Sequence, residues 1–347
     1  MFRAGPSLQF RRAYFFLWLL AYLAIYYGFK ESLPEKYGRD AGFLADVMEI
    51  GRLADTSFST MAAIYGALPG WFLPHLPAFV GGVSLWVILS YVRSYQTMLL
   101  LFVLLPPYLL LNFLYPSKET LVAIMALAVY AACRKIKGTL PVFLVILALY
   151  VPYGIFIRQY YLLILAVFTA IFLIMRTNSI VWMLLACAGI VALALIPNEV
   201  YFQIQSPRDA IYAQLSSGSN LFVRTCFPNP LPPDNAFNFL VNTLYGLLVL
   251  FVPFIIGQSV NEVLLLINVA AYAAMVYYGL KHMRGGAQLP YMLFIGHILT
   301  QAQFEPDLGS YMRHFSSVFV LIAPALPFLF APQPVQQKDR AAATIAA

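Results

Sequence analysis

The sequence has little charge, and almost none of it lies inside its long apolar runs. Of 347 residues only 10% are charged, against 62% hydrophobic, and the mean hydropathy is +0.79. A water-soluble domain cannot hide that much apolar surface, because even a large core leaves most residues near water, so a soluble globular class is excluded and a bilayer is the natural solvent. Cysteine is scarce: Cys133, Cys187 and Cys226 lie far apart, two of them inside apolar runs, and neither a disulfide framework nor a zinc site is implied. No nucleotide-binding loop and no internal repeat is evident, and the residue pattern calls for no cofactor and no metal. The net charge of +7 is spread in ones to threes at the ends of apolar runs, which is how loops beside a membrane look and argues against nucleic acid as a partner.

What is present is a series of apolar runs, most of them long enough to cross about 30 Å of hydrocarbon as helices. They predict an all-α polytopic membrane protein, one domain over residues 1–333 with a disordered tail at 334–347. Ten spans are expected, at 13–29, 73–92, 97–115, 119–133, 140–157, 161–175, 179–197, 262–280, 287–303 and 315–331. The first follows Arg11 and Arg12 as a signal peptide would, but no small-residue cleavage site follows it, so it reads as a retained span. With the N-terminus placed in the cytoplasm, the inner side collects Arg3, Arg11, Arg12, Arg93, Arg134, Lys135, Lys137, Arg176, Lys281, Arg284, Lys338 and Arg340 against the single acid Asp339. That distribution obeys the positive-inside rule, puts both termini in the cytoplasm and leaves thirteen of the 14 acids outside. An eleventh span at 236–256 would break it, and a re-entrant segment interrupted near Pro253 would not. Residues 58–72 are too short to form a separate span and are expected in the outer interface, with Tyr65 and Trp71.

The outer loops, 30–72, 198–235 and 304–314, carry the candidate chemistry, together with the short connections between spans. In YPSKET (115–120), Ser117 suits an N-cap and Glu119 the positive end of a helix dipole, but Lys118 at a helix N-terminus needs an anionic reason to be there. In the first loop an amphipathic helix is expected from the recurrence of Phe43, Leu44, Val47, Ile50 and Leu53; Asp40, on the turn before it, is either part of a solvated face or a general base. Arg158 in IRQYY, with Tyr160 and Tyr161, is either an interface anchor or a phosphate ligand. The last loop crowds Glu305, Asp307, Tyr311, Arg313 and His314, with His314 a candidate proton shuttle. Arg208 and Arg224 belong to a loop long enough to serve as a lid or a substrate-binding segment.

Five cations (Lys118, Arg158, Arg208, Arg224, Arg313) on one side of the membrane, mixed with carboxylates and aromatics, suit an amphiphile that is anionic at its head and apolar in its tail. A polyprenyl-diphosphate-linked sugar has that character: cations would stabilise the departing diphosphate while a carboxylate deprotonates the attacking hydroxyl. The GRDAG turn after the first span, SKETLVAIMALAVYAACRKIKG, and SYMRHF at the last outer mouth together resemble the EpsG-like and Wzy-type bacterial polysaccharide polymerases, multi-span glycosyltransferases related in general plan to GT-C enzymes. The resemblance implies a GT-C-like inner-membrane enzyme that joins undecaprenyl-diphosphate-linked repeat units of a capsule, O-antigen or exopolysaccharide. It places Asp40 on the family's glycine-aspartate turn and Lys118 at the mouth of the fourth span, where the family often has arginine and where Glu119 departs from the usual neighbour; Asp40, Glu119 and Glu305 are the candidate catalytic carboxylates, and membrane lipid with a chain-length regulator or flippase the expected partners. The histidine common at the next outer mouth in that family is replaced here by Tyr150, Tyr153 and Arg158. Two rivals stand beside it: a GT-C transferase using a polyprenyl-monophosphate sugar, and a transporter, against which the absence of mid-span charge and of paired halves argues.

Overall fold

The computed structural model describes residues 5–34, 39–50, 56–177, 195–216 and 224–330, with a few single positions between 183 and 191. The span expected at 179–197 and the tail after residue 330 therefore fall largely outside the described residues. Within them the chain is all-α, and one isolated antiparallel bridge, Cys226 to Asp307, is the sole strand-like pairing. Five segments are long and apolar enough to cross a bilayer: Leu8–Ser32, Leu73–Ser90, Tyr95–Asn112, Thr139–Phe156 and Val260–His282. The protein is an α-helical membrane protein.

In chain order the helices are α1 (Leu8–Ala24), α2 (Arg39–Ile50), α3 (Thr56–Gly66), α4 (Leu76–Ser90), α5 (Tyr95–Asn112), α6 (Lys118–Lys135), α7 (Thr139–Phe156) and α8 (Tyr160–Ile174). They continue as α9 (Asn198–Ser216), α10 (Ala236–Phe251), α11 (Val260–His282), α12 (Leu289–Phe304), α13 (Leu308–Ser317) and α14 (Leu326–Leu329). Side-chain caps fix several starts: Ser94, Ser117, Asn235, Ser259 and Asp307 each accept a hydrogen bond from a backbone N–H of the following turn. The helix expected in the first outer loop is α2, whose Leu44 and Val47 are buried while Asp46 and Glu49 are exposed. It packs on α3 through an edge-on contact of Phe43 with Phe58.

Contacts between connecting segments sort the bundle into two ends. At one end Arg134 donates to Tyr91 (2.9 Å), Arg176 to Thr139 (3.1 Å) and the Cys133 thiol to the Gly286 carbonyl (3.6 Å), and Phe10 meets Tyr95. The connections gathered there hold Arg93, Arg134, Lys135, Lys137, Arg176, Lys281 and Arg284 and no acid. At the other end Tyr22 donates to the Phe113 and Pro77 carbonyls, Tyr26 to Pro74 and Tyr115 to Lys30, which brings the end of α1, the start of α4 and the turn before α6 together. The segregation of charge read from the loops is thus matched by which loops touch.

Two expectations are revised. The stretch 315–331 does not form one span: α13 already begins at Leu308, and 3-10 turns at Phe319–Leu321 and Ala323–Ala325 follow it before α14. Pro324 and Pro327 withhold the donors a continuous helix needs, and the broken backbone is tolerated because Val318–Ala323 are enclosed by protein. Arg313 accordingly sits inside α13 rather than opening a span. The loop 198–235 is not a loop throughout, since its first half is α9. Segment 236–256 forms α10 and a 3-10 turn at Pro253–Ile255. Asn242 of α10 bonds Gln205, Gly246 lies against the carbonyl of Ala302, and α11 starts at the same end, so this segment does not connect the two ends of the bundle.

Candidate functional site

At the acid-bearing end, three separate parts of the chain meet around Glu119. Its carboxylate sits in the first turn of α6, with a side chain 1% exposed. Nη2 of Arg158, from the turn between α7 and α8, reaches its Oε1 at 2.8 Å; Nε of Arg313 lies 3.7 Å and Nδ1 of His314 3.4 Å from the same atom. The other ring nitrogen of His314, Nε2, is 2.9 Å from Oε1 of Glu305, in the turn between α12 and α13. Nη1 of Arg158 is 3.4 Å from His314 Nδ1. Glu119, Arg158, Glu305, Arg313 and His314, five of the residues singled out from the sequence, are therefore one cluster.

Local structure explains each placement. Ser117 caps α6, its Oγ accepting from Thr120, so Glu119 is set into the first turn facing inward, while Tyr65 donates to the Ser117 carbonyl at 2.7 Å. The N–H groups of Ile157 and Arg158 both close on the Tyr153 carbonyl, which ends α7 and turns Arg158 back over the bundle. Asp307 caps α13 by accepting from Gly309 and Ser310, and its helix presents Arg313 and His314 on successive positions.

The electrostatics are those of a partly dehydrated ionic cluster. Burial alone would weaken the Arg158 charge, but the Glu119 carboxylate outweighs it and moves the guanidinium pKa up. For Glu305 burial pulls upward, and His314, Arg313 and Arg158 together overcome it, leaving the carboxyl below its ordinary range. Asp307 goes the other way, raised by burial and by the neighbouring charge of Glu305. Because Glu305 accepts from Nε2, a neutral His314 carries its proton there and offers Nδ1 as an acceptor. Taking up a proton at Nδ1 converts that face into a donor toward Glu119, so the imidazole can receive a proton from a hydroxyl with a carboxylate waiting on each side.

Aromatic residues wall the cluster. Tyr160 stacks on Phe304 (5.3 Å) with the Arg158 guanidinium 5.9 Å from its ring, and Tyr161 packs on Tyr153 (4.4 Å) and on Tyr150. Lys118 donates to Ser57 at 2.7 Å and lies 3.7 Å over the Phe58 ring, at the rim of the cluster. The other site candidates are placed elsewhere. Arg208 is buried and donates to Asn229 and to the carbonyls of Glu305 and Phe227, so it fastens α9 to the turn that carries Glu305. Tyr311 stacks on Phe227 beside it. Arg224 pairs with Glu262 (2.5 Å) at the start of α11. Asp40 falls in the first turn of α2, with its side chain outside the described residues.

Sequence reasoning missed the bond between Tyr150 and His297 Nε2 (3.0 Å) and the amide cluster of Gln205, Asn242 and Gln303. Gln301 and Thr300 were missed too, with side-chain polar atoms buried and without partners among the described residues. The signal was the polar content of HILTQAQF, with His297, Thr300, Gln301 and Gln303 inside an apolar run. Among the described residues no group of three His, Cys, Asp or Glu side chains has the arrangement to hold a metal ion. In comparisons with known proteins, no family model matches the chain, and no curated protein and no solved structure is found to match it.

Proposed function

We propose that this chain is a GT-C-like membrane glycosyltransferase of the polysaccharide-polymerase kind, joining polyprenyl-diphosphate-linked repeat units at the outer face of a bacterial cytoplasmic membrane. The gathering of the basic connections at the opposite end of the bundle supports placing the Glu119 cluster on that outer face. The observation that carries the reading is the gathering of two arginines and a histidine around two buried carboxylates, from three distant parts of the chain. A structural ion pair needs one partner of each sign; this arrangement has more polar and charged groups than stability asks for, and buried charge is expensive to keep.

In the proposed reaction the diphosphate of the donor takes over the guanidiniums of Arg158 and Arg313, with Lys118 at the rim, because planar guanidinium matches phosphate oxygens bidentately. The acceptor sugar hydroxyl attacks the anomeric carbon, its proton passes to His314 Nδ1, and the bond from that carbon to the diphosphate breaks with its electron pair leaving on the diphosphate oxygen. Glu305 orients the imidazole through Nε2 and stabilises the imidazolium, and Glu119 does so from the other side. Tyr160 offers its ring to a sugar, and Tyr161, 1% exposed, packs behind it.

Purified protein incubated with a defined lipid-diphosphate oligosaccharide tests this. A ladder of longer products is expected from the native chain, and unreacted single units from Arg158→Ala, Arg313→Ala and His314→Ala. Ladders from all three variants would remove the cluster from the mechanism. Consumption of a polyprenyl-monophosphate sugar in place of the diphosphate would instead identify a single-sugar transferase.

A further inference from the structure

Helix α13 has a second face. Leu308, Gly309 and Met312 look away from His314 and roof a cavity of about 480 Å³ between α5 and α11. That volume is in the range of sites for small molecules. The walls are apolar and partly open to the side, where Phe102 and Leu264 are exposed, so entry is lateral, from the membrane.

Thr225, Asn261 and Glu262 put mixed polar groups at the mouth, beside the start of α11, and farther along the walls the polar atoms are mainly acceptors. Pro106 and Pro107 stand inside α5 and line the cavity. Neither has an N–H, so the carbonyls four residues earlier, on Phe102 and Val103, lose their helical donors, and those two residues line the same cavity. From the opposite wall comes Asn268, 1% exposed. Its Nδ2 donates to the Leu264 carbonyl at 2.8 Å, which fixes the amide orientation, and its Oδ1 has no partner among the described residues. Glu262, nearer the mouth, is already engaged by Arg224 and Ser259. Past Thr225 and Asn261 the cavity thus presents three acceptors, with one remaining N–H of the Asn268 amide beside them, in a place where an unsatisfied acceptor is costly. Asn268 lies about 13.5 Å along α11 from Ser259, at 1.5 Å per residue, which is inside the hydrocarbon layer for a helix that begins at the membrane surface.

We propose that the cavity between α5 and α11 is a lateral binding site for a lipid alcohol, an uncharged membrane lipid whose free hydroxyl lies next to its chains. The hydroxyl donates into the Phe102, Val103 and Asn268 acceptors while the chains follow the apolar walls out into the bilayer. A cationic head is a poorer fit, because the acceptors are neutral and a desolvated ammonium carries a heavy penalty. The site is separate from the Glu119 cluster, with the thickness of α13 between them, and does not depend on the proposed transferase activity.

Trp18 packs on Phe102 with ring centroids 5.4 Å apart and reports on the cavity by fluorescence. Purified full-length protein in detergent is titrated with dioleoylglycerol brominated on its chains, with the 3-O-methyl ether of the same lipid, and with brominated dioleoylphosphatidylcholine; the Trp18→Phe variant gives the background. The alcohol is expected to quench at concentrations about tenfold lower than the ether or the phosphatidylcholine, the size of one to two hydrogen bonds. Asn268→Leu removes one acceptor and Pro106→Ala with Pro107→Ala returns helical donors to the other two; each is expected to bring the alcohol-to-ether ratio down to about two. Equal binding of alcohol and ether by the native chain overturns the proposal, whatever the variants do. So does an unchanged ratio in both variants.

Discussion

Removing the charge from the pair of Glu119 and Arg158 separates a scaffold role from a ligand role. Arg158→Met alone leaves the Glu119 carboxylate, 1% exposed, with the Arg313 guanidinium at 3.7 Å and the His314 ring at 3.4 Å as its remaining neighbours. Breaking a buried pair from one side costs about 3–5 kcal/mol, and the two remaining neighbours place this case near the lower end, about 3 kcal/mol. For a chain of 347 residues that is a fall in melting temperature of roughly 4 °C. The double variant Glu119→Met with Arg158→Met removes both charges at similar volume. It is expected to melt within about 1 kcal/mol of the native protein, because the desolvation of both ions is no longer needed. Glycan products measured on the same preparations should be absent from both variants. The reasoning is refuted if the double variant melts as low as Arg158→Met, which would show that the two side chains do not act as a pair. It is equally refuted if the double variant still builds long chains, since the charges would then serve no ligand.

Further outcomes follow from other parts of the structure. Glu305 has a folded pKa below its unfolded one, so its contribution is present above the ordinary carboxylate range and is lost as pH falls through and below about 4.5; Glu305→Gln is expected to flatten the acid limb of a stability profile, and an unchanged limb would contradict this. Asp307, raised by burial and by Glu305, caps α13; Asp307→Asn should be neutral or slightly stabilising, whereas Asp307→Ala should cost about 1 kcal/mol in a thermal melt. At Gly296 an added Cβ would meet the Ile164 carbonyl at 2.9 Å, so Gly296→Ala should part α8 from α12 and destabilise by more than about 1 kcal/mol. Accessibility labelling of single cysteines at positions 93, 137 and 284 should report one side of the membrane, and at 116, 159 and 306 the other. A mixed result would undo the two-ended arrangement of the bundle.

How much of this was legible beforehand varies by residue. The caps at Ser117 and the amphipathic helix holding Leu44 and Val47 follow from local rules, so they could be read from a few adjacent letters. The break after Ser317 could not, although Pro324 and Pro327 signalled it, because whether a proline interrupts a span depends on what surrounds the freed carbonyls. Arg158 and Arg208 looked alike as lone arginines in loops; one faces Glu119, while the other is spent on the backbone around Glu305.

The sequence by itself determined that the chain is a helical membrane protein and which loops share a face, because hydropathy and charge act on each segment separately, against the same solvent. Only the tertiary structure decided that Glu119, Arg158, Glu305, Arg313 and His314 meet, and that α13 divides an ionic cluster from a cavity open to the side. Those facts depend on packing between segments up to nearly two hundred residues apart, and one-dimensional periodicity holds no information about which helix faces which.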